Sequence, residues 1–378
     1  MSKNFDVCIY GDGAVGRVLA LKLAQARLRV ALLARAASPA ALAAPADVRA
    51  YALNAASREL LLGLRAWPDA ASTPVLCMQV SGDDGGQIDF NTAGQAAPTT
   101  ASPLAWIVDV QALQHQLAEA IRYQPQIELL THTADTPSPA IKAPLKVICE
   151  GQFGEHLSAL PARRTVKPYP QRAVAARLSS TQPHGHVARQ WFTNGEVLAL
   201  LPLHDNALAL IWSVDSERAE ALMQLPADEF CAVLQTACGA SADIGTLGLN
   251  GDRASWPLNL STAERWVGPG WALAGDAAHT IHPLAGQGLN LGLADAACLA
   301  DILAGREYWR ALGDERLLRR YERARKADVA TLTAVTDGLY SLFSHSNGPL
   351  QAARNWGMKG VALSGPLKQW LTRRAAGY

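Results

Sequence analysis

No two of the six cysteines, Cys8, Cys77, Cys149, Cys231, Cys238 and Cys298, stand in a Cys-x-x-Cys pair. Most lie inside apolar stretches, where a thiol behaves as a small hydrophobe, so reduced core thiols are expected rather than a disulfide or zinc framework. No uninterrupted apolar run approaches the roughly 18 residues that a membrane span requires. The first apolar strand begins near Phe5, which leaves no room for a secretory signal ahead of it. A cytoplasmic protein is expected, with any membrane contact peripheral. Neither charge is in excess: 34 Lys and Arg face 33 Asp and Glu, a net charge of +1. No basic run carries interleaved aromatics, which excludes nucleic acid as a partner. Internal repeats are absent as well, and the length of 378 residues suggests about two domains around a large core.

What is present begins at the N-terminus. Phe5-Asp6-Val7-Cys8-Ile9-Tyr10 reads as a strand, and Gly11-Asp12-Gly13-Ala14-Val15-Gly16 follows it directly. From Ala14 to about Arg27, Val15, Val18, Leu19 and Leu23 share one helical face, and Arg29-Val30-Ala31-Leu32-Leu33 reads as a second strand. This is a βαβ opening with the dinucleotide fingerprint in its first turn. Gly11 permits the tight turn, Gly13 the approach of a pyrophosphate, and Gly16 the close packing of helix on strand. A carboxylate is expected about 20 residues further on to take the adenosine ribose, yet the second strand ends Leu33-Ala34-Arg35-Ala36. Either the site has decayed while the fold persists, or Arg35 or backbone groups hold the adenosine end.

The most specific stretch is Gly275-Asp276-Ala277-Ala278-His279-Thr280-Ile281-His282-Pro283-Leu284-Ala285-Gly286-Gln287-Gly288-Leu289-Asn290. It follows the short apolar run Trp271-Ala272-Leu273-Ala274 and leads into a helical pattern. So placed, Asp276 can accept hydrogen bonds from a sugar-alcohol hydroxyl, and the glycines let backbone N–H groups approach an anionic or electron-rich ring. His279 and His282 are too few to hold a metal, and none is expected. They read as loop-fixing hydrogen-bond partners, with general-base work as the alternative.

Between these motifs the architecture changes. Val48 to Arg65, centred on Asn54-Ala55-Ala56-Ser57, reads as a loop feeding a helix. Pro74 to Phe90 reads as a hairpin with Val75 to Val80 as one strand, and Asp109 to Ile121 as an amphipathic helix. Thr131 to Pro144 is either loop or a pair of short strands, and Leu145 to Cys149 is a buried strand. From Tyr169 to Asp215 strands alternate with turns at Thr193-Asn194-Gly195 and His204-Asp205-Asn206, which predicts an antiparallel sheet. Ala227 to Cys238 is helical, Trp256 onward returns to the opening domain, and helices follow Asp295. The charged run Glu315 to Lys326 reads as a solvated helix face, with a surface for anionic lipid or a partner as the alternative.

Two separated nucleotide motifs flanking an inserted sheet resemble the flavoprotein aromatic hydroxylases, and more narrowly the ubiquinone-biosynthesis hydroxylase family. The resemblance covers essentially the whole chain and is strongest over Gly275 to Gly292. It is supported by Arg49 with Ala52-Leu53-Asn54-Ala55-Ala56-Ser57, by Val187-Ala188-Arg189-Gln190, by Leu201-Pro202-Leu203 and by Arg320-Tyr321-Glu322-Arg323-Ala324-Arg325. It implies an α/β fold: a Rossmann-like FAD-binding domain of the aromatic-hydroxylase type, an inserted antiparallel β-sheet substrate domain and C-terminal helices. The implied division is 1–73, 101–165 and 255–305 for the FAD-binding domain, 74–100 for a hairpin joining the substrate sheet, 166–254 for the substrate domain and 306–378 for a helical region.

By the same resemblance, Asp276 binds the ribityl chain of FAD, with Gly275, Leu289 and Asn290 beside it. Pro283 and Gly286-Gln287-Gly288 form the flavin-facing catalytic loop. Gly11, Gly13, Ala14 and Gly16 hold the pyrophosphate, and Arg49 lies near the ring or the phosphates. The implied chemistry is reduction of FAD by NAD(P)H and reaction with O2 to a C4a-hydroperoxide. The terminal oxygen then passes to the ring of a phenol or quinol carrying a polyprenyl tail. The implied setting is the membrane surface or a quinone-biosynthesis complex.

Three positions depart from the pattern. Ala34 replaces the ribose carboxylate. The Asp-Gly motif with following Ser and Arg, linked to FAD and NAD(P)H use, reads Glu150-Gly151-Gln152-Phe153-Gly154-Glu155-His156. Val110 stands where a polar residue is common. These losses fit a divergent hydroxylase, or a non-catalytic relative acting as a lipid-binding or scaffold protein.

Overall fold

A computed structural model describes residues 4–36, 47–82, 86–91, 103–133, 141–151, 154–239, 243–281 and 288–344, with side chains up to residue 334. Strand β1 (Val7–Tyr10) is buried throughout, and helix α1 (Ala14–Gln25) follows it. β2 (Val30–Arg35) and β3 (Ala50–Leu53) come next. Asn54 then caps α2 (Ala55–Gly63) by accepting the Ser57 N–H. After β4 (Ser72–Val75), β5 (Cys77–Ser81) and β6 (Gln87–Asn91), β7 (Ala105–Asp109) runs into α3 (Val110–Arg122). The Asp109 carboxylate caps α3 through the N–H groups of Gln111 and Ala112, satisfying donors that a helix start leaves open.

β8 (Ile127–His132) and β9 (Leu145–Ile148) precede the long β10 (Arg164–Ser180). β11 (Val187–Thr193), β12 (Glu196–Pro202) and β13 (Leu208–Asp215) then form a meander. Its first turn places Asn194 at φ 52° and Gly195 at φ 79°, the left-handed pair that suits a two-residue hairpin. Helices α4 (Ser216–Gln224) and α5 (Ala227–Cys238) lead to β14 (Leu247–Ala263), β15 (Val267–Gly268), β16 (Trp271–Leu273) and β17 (His279–Thr280). Helices α6 (Gly288–Ala304) and α7 (Glu315–Ser344) complete the described chain.

Among the described residues three sheets form: β15-β16-β9-β1-β2-β8, with all pairs parallel except β15 with β16; β17-β14-β10-β13-β12-β11-β5-β6; and β3-β7-β4. The α/β architecture is therefore a Rossmann-like parallel sheet with an inserted, largely antiparallel one. The main core surrounds the parallel sheet and unites α1, α3, α6 and α7 with it. A second core lies between the large sheet and α4 and α5, where Trp212, Phe230 and Leu234 are fully buried. A small apolar cluster of Ala50, Val75, Ile107, Ala188, Leu203 and Ala209 joins the large sheet to the three-stranded one.

The structure corrects several expectations. Val75 to Val80 is not one strand: β4 pairs with β7, and after Leu76 the chain moves to β11 in the other sheet. Alternation alone cannot register that a continuous extended run changes neighbours. Ala50–Leu53, expected as loop, is a strand because β7 supplies its partner. Trp256 has not left the inserted sheet; it pairs with Ala173, and β14 stays there until Ala263. Of Thr131 to Pro144, the start belongs to β8, and residues 134–140 lie outside the described part.

The segment between α6 and α7 is framed by ion pairs: Glu307 accepts from Arg310 at 2.8 Å and from Arg320 at 2.9 Å. Its own backbone N–H, Arg320 and Arg310 push the Glu307 carboxyl down from 4.5 to about 2. A lowered carboxylate stabilises the fold above its unfolded value and loses that contribution as pH falls through the folded one. Glu307→Gln should therefore melt slightly below the wild type at neutral pH, and the gap should close between pH 4.5 and about 2. Thermal melts across that window check this; a gap independent of pH would refute it.

Candidate active site

The C-terminal ends of β1, β2, β8, β9 and β16 lie along one edge of the parallel sheet, the edge where open α/β sheets take their ligands. The glycine motif sits at its centre. Gly11 has φ 103°, and a Cβ there would lie 2.7 Å from the Cys149 carbonyl. A Cβ on Gly16 would come 2.0 Å from the Gly11 oxygen, whereas a Cβ on Gly13 meets nothing within 4 Å. Gly11 and Gly16 thus serve close packing, and Gly13 borders open space. Asp12 pairs with Arg17 at 3.1 Å. No acidic residue occupies the first turn of α1, and its Gly13 N-cap makes no side-chain capping bond among the described residues. The N–H groups of Ala14, Val15 and Gly16 head the helix, where a helix start leaves donors open, which makes this end a candidate anion site.

The two ends of the sequence meet at Val15. Gly275, at φ 63°, and Gly292 of α6 both pack on its side chain; a Cβ on Gly275 would stand 3.2 Å from Val15 Cγ2, and one on Gly292 2.6 Å from it. Next to Gly275, Asp276 is solvent-exposed, with protein packed around its carboxyl closely enough to desolvate it in part. That enclosure pushes its carboxyl above the ordinary range, against the pull of His279, Arg49 and Arg164. Arg164 donates to the Asp276 carbonyl at 3.2 Å. Arg49 binds Asp47 through two nitrogens, at 2.9 and 2.7 Å, a fork that fixes its plane. Arg177 of β10 reaches the Arg49 carbonyl and the Asp109 carboxylate, each at 2.7 Å. The inserted sheet thereby holds Arg49 in place.

Asn290 is buried, and its side chain works within the protein. Its Oδ1 accepts the Asn54 N–H at 3.0 Å and the Ser57 hydroxyl at 2.7 Å, while Nδ2 donates to the Ala52 carbonyl at 2.8 Å. It clamps α6 to the β3–α2 corner. Gly288 opens α6, with nothing within 4 Å of a Cβ there, and Leu289 packs on the main core. Pro283, Gly286 and Gln287 lie outside the described residues, as does His282. Arg35 is exposed at the end of β2, beside buried Ala34. Val110 is buried at the start of α3. His279 donates or accepts at 2.6 Å from Asp295, which realises the loop-fixing role. Among the described residues no group of three or more potential ligands could hold a metal.

The altered middle motif has its own internal logic. Glu150 accepts the His156 N–H at 3.0 Å and pairs with His156 Nδ1 at 2.6 Å, over the helical turn Glu155–Ser158. Gly154 is required there, since a Cβ would lie 2.4 Å from that of Glu150. The His156 ring packs 4.2 Å from Tyr10. Glu150 is thus engaged inside the protein rather than directed at the glycine motif. Sequence reasoning missed Asp47, Arg164, Arg177 and Asp295. The only signal for them was an ionisable residue within an otherwise apolar or alternating run.

The helix N-terminus, the exposed acid after Gly275 and the arginine beside it suit a dinucleotide with a polyol segment, and so fit FAD. The FAD binding domain family matches residues 107–336. The chain is 31% identical to the ubiquinone hydroxylase UbiL of Rhodospirillum rubrum, over 99% of this chain and 90% of that one. It is 30% identical to the 3-demethoxyubiquinol 3-hydroxylase of Escherichia coli, over 98% of each. In fold it is similar to the p-nitrophenol 4-monooxygenase PnpA of Pseudomonas putida, with TM-score 0.76 at 17% identity, covering 99% of this chain and 98% of that one. P. aeruginosa PqsL is also similar, with TM-score 0.71 at 21% identity over 90% of this chain and 97% of its own.

Proposed function

This chain belongs to the FAD-dependent monooxygenase family that includes the ubiquinone hydroxylases, and from that premise we propose that it hydroxylates the ring of a prenylated phenol or quinol precursor of ubiquinone. The observation that carries this reading is the meeting of the α1 N-terminus with Gly275, which precedes Asp276, and with Gly292 at Val15. In this reading the α1 N-terminus from Gly13 to Gly16 holds the pyrophosphate, Asp276 accepts from the ribityl hydroxyls, and Arg49 offsets negative charge near the ring. The backbone from Gly288 to Asn290, with Pro283, Gly286 and Gln287, completes the flavin-facing side. Arg35 stands nearest the adenosine end in place of the absent carboxylate. When bound, FAD supplies electron transfer from NAD(P)H and activation of O2 for insertion of one oxygen atom.

The chain's own task is to orient the ring and exclude water. Alternation along β10 and β13 sends Val174, Leu210 and Trp212 into the helices behind the sheet. The opposite face carries the small buried side chains of Ala173, Ala175 and Ala209, of which Ala209 packs in the cluster that joins the two sheets. No helix among the described residues is long and apolar enough to cross a membrane. Peripheral contact from the cytoplasmic side, or a quinone-biosynthesis complex, is the proposed route to an apolar substrate. The hydroxylase names of the relatives favour turnover over a scaffold role.

The purified protein should be yellow, or become so with FAD, and NAD(P)H should bleach it faster when a prenylated quinol is present. A protein that stays colourless with excess FAD would overturn the reading. Asp276→Asn should weaken FAD binding by at least about tenfold, near 1.4 kcal/mol. Quenching of flavin fluorescence measures this, and an unchanged dissociation constant would remove Asp276 from the site.

A further inference from the structure

Asp295 lies in α6 with no solvent exposure, and its carboxylate gathers three donors from separate parts of the chain. Oδ2 accepts the Gly275 N–H at 3.1 Å and lies 2.6 Å from His279 Nε2; Oδ1 accepts from Arg325 Nε at 2.8 Å. A carboxylate buried to this degree costs several kcal/mol unless a positive charge and hydrogen bonds compensate it. Here the compensating charge comes from α7. Arg325 also bonds Asp328 at 2.7 Å, which holds its guanidinium in register.

The same stretch of α7 grips the neighbouring backbone twice more. The Tyr321 hydroxyl donates to the Leu273 carbonyl at 2.8 Å, and Glu322 accepts the Trp266 N–H at 2.8 Å. The Trp266 ring in turn packs 4.9 Å from the His279 ring. The turn from Gly275 to His279 is thus held from residues 321–325 of α7 as well as by Arg164 at the Asp276 carbonyl and by the Ala263 N–H at the Ala278 carbonyl. Asp276 is the exposed residue of that turn, between buried Gly275 and Ala277.

We propose that Asp295 is the positioning residue of this turn and that α7, through Arg325, sets the direction in which Asp276 presents its carboxylate to FAD. Asp295 and Arg325 do not themselves touch the cofactor. This gives the Arg320-to-Arg325 motif a role in cofactor binding distinct from that of a solvated face. The inference rests on the reading of Asp276 as a cofactor contact, so Asp276→Asn serves as its reference.

The test compares full-length Asp295→Asn, Arg325→Gln and the double variant with wild type. FAD dissociation constants come from flavin fluorescence, the visible spectrum from the loaded proteins, and thermal midpoints from the FAD-free ones. Asp295→Asn leaves Arg325 with Asp328 as its carboxylate partner, and Arg325→Gln leaves the buried Asp295 carboxylate without its guanidinium; each should weaken FAD binding at least about tenfold, with an altered visible band. The double change removes both charges and should restore a large part of the affinity, a recovery that also guards against misfolded single variants. The proposal is overturned if the single variants lower the thermal midpoint but bind FAD with wild-type affinity and spectrum, or if the double variant is no better than either single one. Should Asp276→Asn alone bind FAD normally while the Asp295 variants do not, the reading of Asp276 fails and the brace acts on another part of the turn.

Discussion

Gly16→Ala is expected to yield a chain with little stable fold and no retained FAD. A Cβ at that position would sit 2.0 Å from the Gly11 carbonyl oxygen and 3.5 Å from the Cys149 side chain. The first obstacle is backbone, so no rotamer change relieves it, and α1 must move away from β1. Overpacking of this kind costs about 3 kcal/mol or more. That is a large share of the roughly 5–15 kcal/mol by which a domain is stable. Gly13→Ala provides the contrast. Gly13 has φ −67° and open space where the Cβ would go. The FAD-free stability of that variant should stay within about 1 kcal/mol of wild type, while its FAD affinity falls because the methyl occupies the pyrophosphate's approach. Urea unfolding of both FAD-free variants, with FAD titration, separates the two effects. Normal FAD binding by Gly13→Ala would place the pyrophosphate elsewhere.

Asn290→Leu should be nearly as damaging, through unpaired polar groups rather than overlap. The substitution keeps roughly the side-chain volume but strands the Asn54 N–H, the Ser57 hydroxyl and the Ala52 carbonyl, all now bonded to Asn290. At about 1–3 kcal/mol for each of the three buried groups left unpaired, the loss should reach roughly 3–9 kcal/mol before relaxation. Ser57→Ala removes one of the three bonds and should cost about 1 kcal/mol. Denaturant midpoints measure both. Similar small losses for the two variants would show that water replaces Asn290 and that the clamp is not a stability element. Asn290 stands in the motif that the resemblance assigns to the cofactor, and its side chain fastens α6 to the β3–α2 corner.

Legibility in the sequence followed the range of the interaction. The βαβ opening, the amphipathic helix after Asp109, the Asn194-Gly195 turn and helix α5 could be read directly, because each depends on residues a few positions apart. The three misread segments are all places where a partner strand decides the structure. Ala50–Leu53 is extended because β7 lies beside it, and Val75 to Val80 is divided because β7 and β11 compete for successive parts of it. Residues near Trp256 remain in the inserted sheet because β10 is long enough to pair with them. Around the candidate site, the close packing of Gly11 and Gly16 was legible from spacing. The arginine and carboxylate supports were not.

By itself, the sequence determined that a dinucleotide fingerprint opens the chain, that a second glycine-rich loop complements it, and that no disulfide framework or long apolar span is written in. These properties follow from composition and from backbone freedom within single turns. Only the tertiary structure decided that Gly275 and Gly292 close on Val15, that Glu150 binds His156, and that Arg177 and Asp295 hold the backbone at Arg49 and Gly275. Ser57 and Asn290 are 233 positions apart, and Asp295 and Arg325 lie on different helices. No local propensity can join such residues. Their meeting is set by which faces of the sheets and helices must leave water, and the buried charges then find partners within that packing.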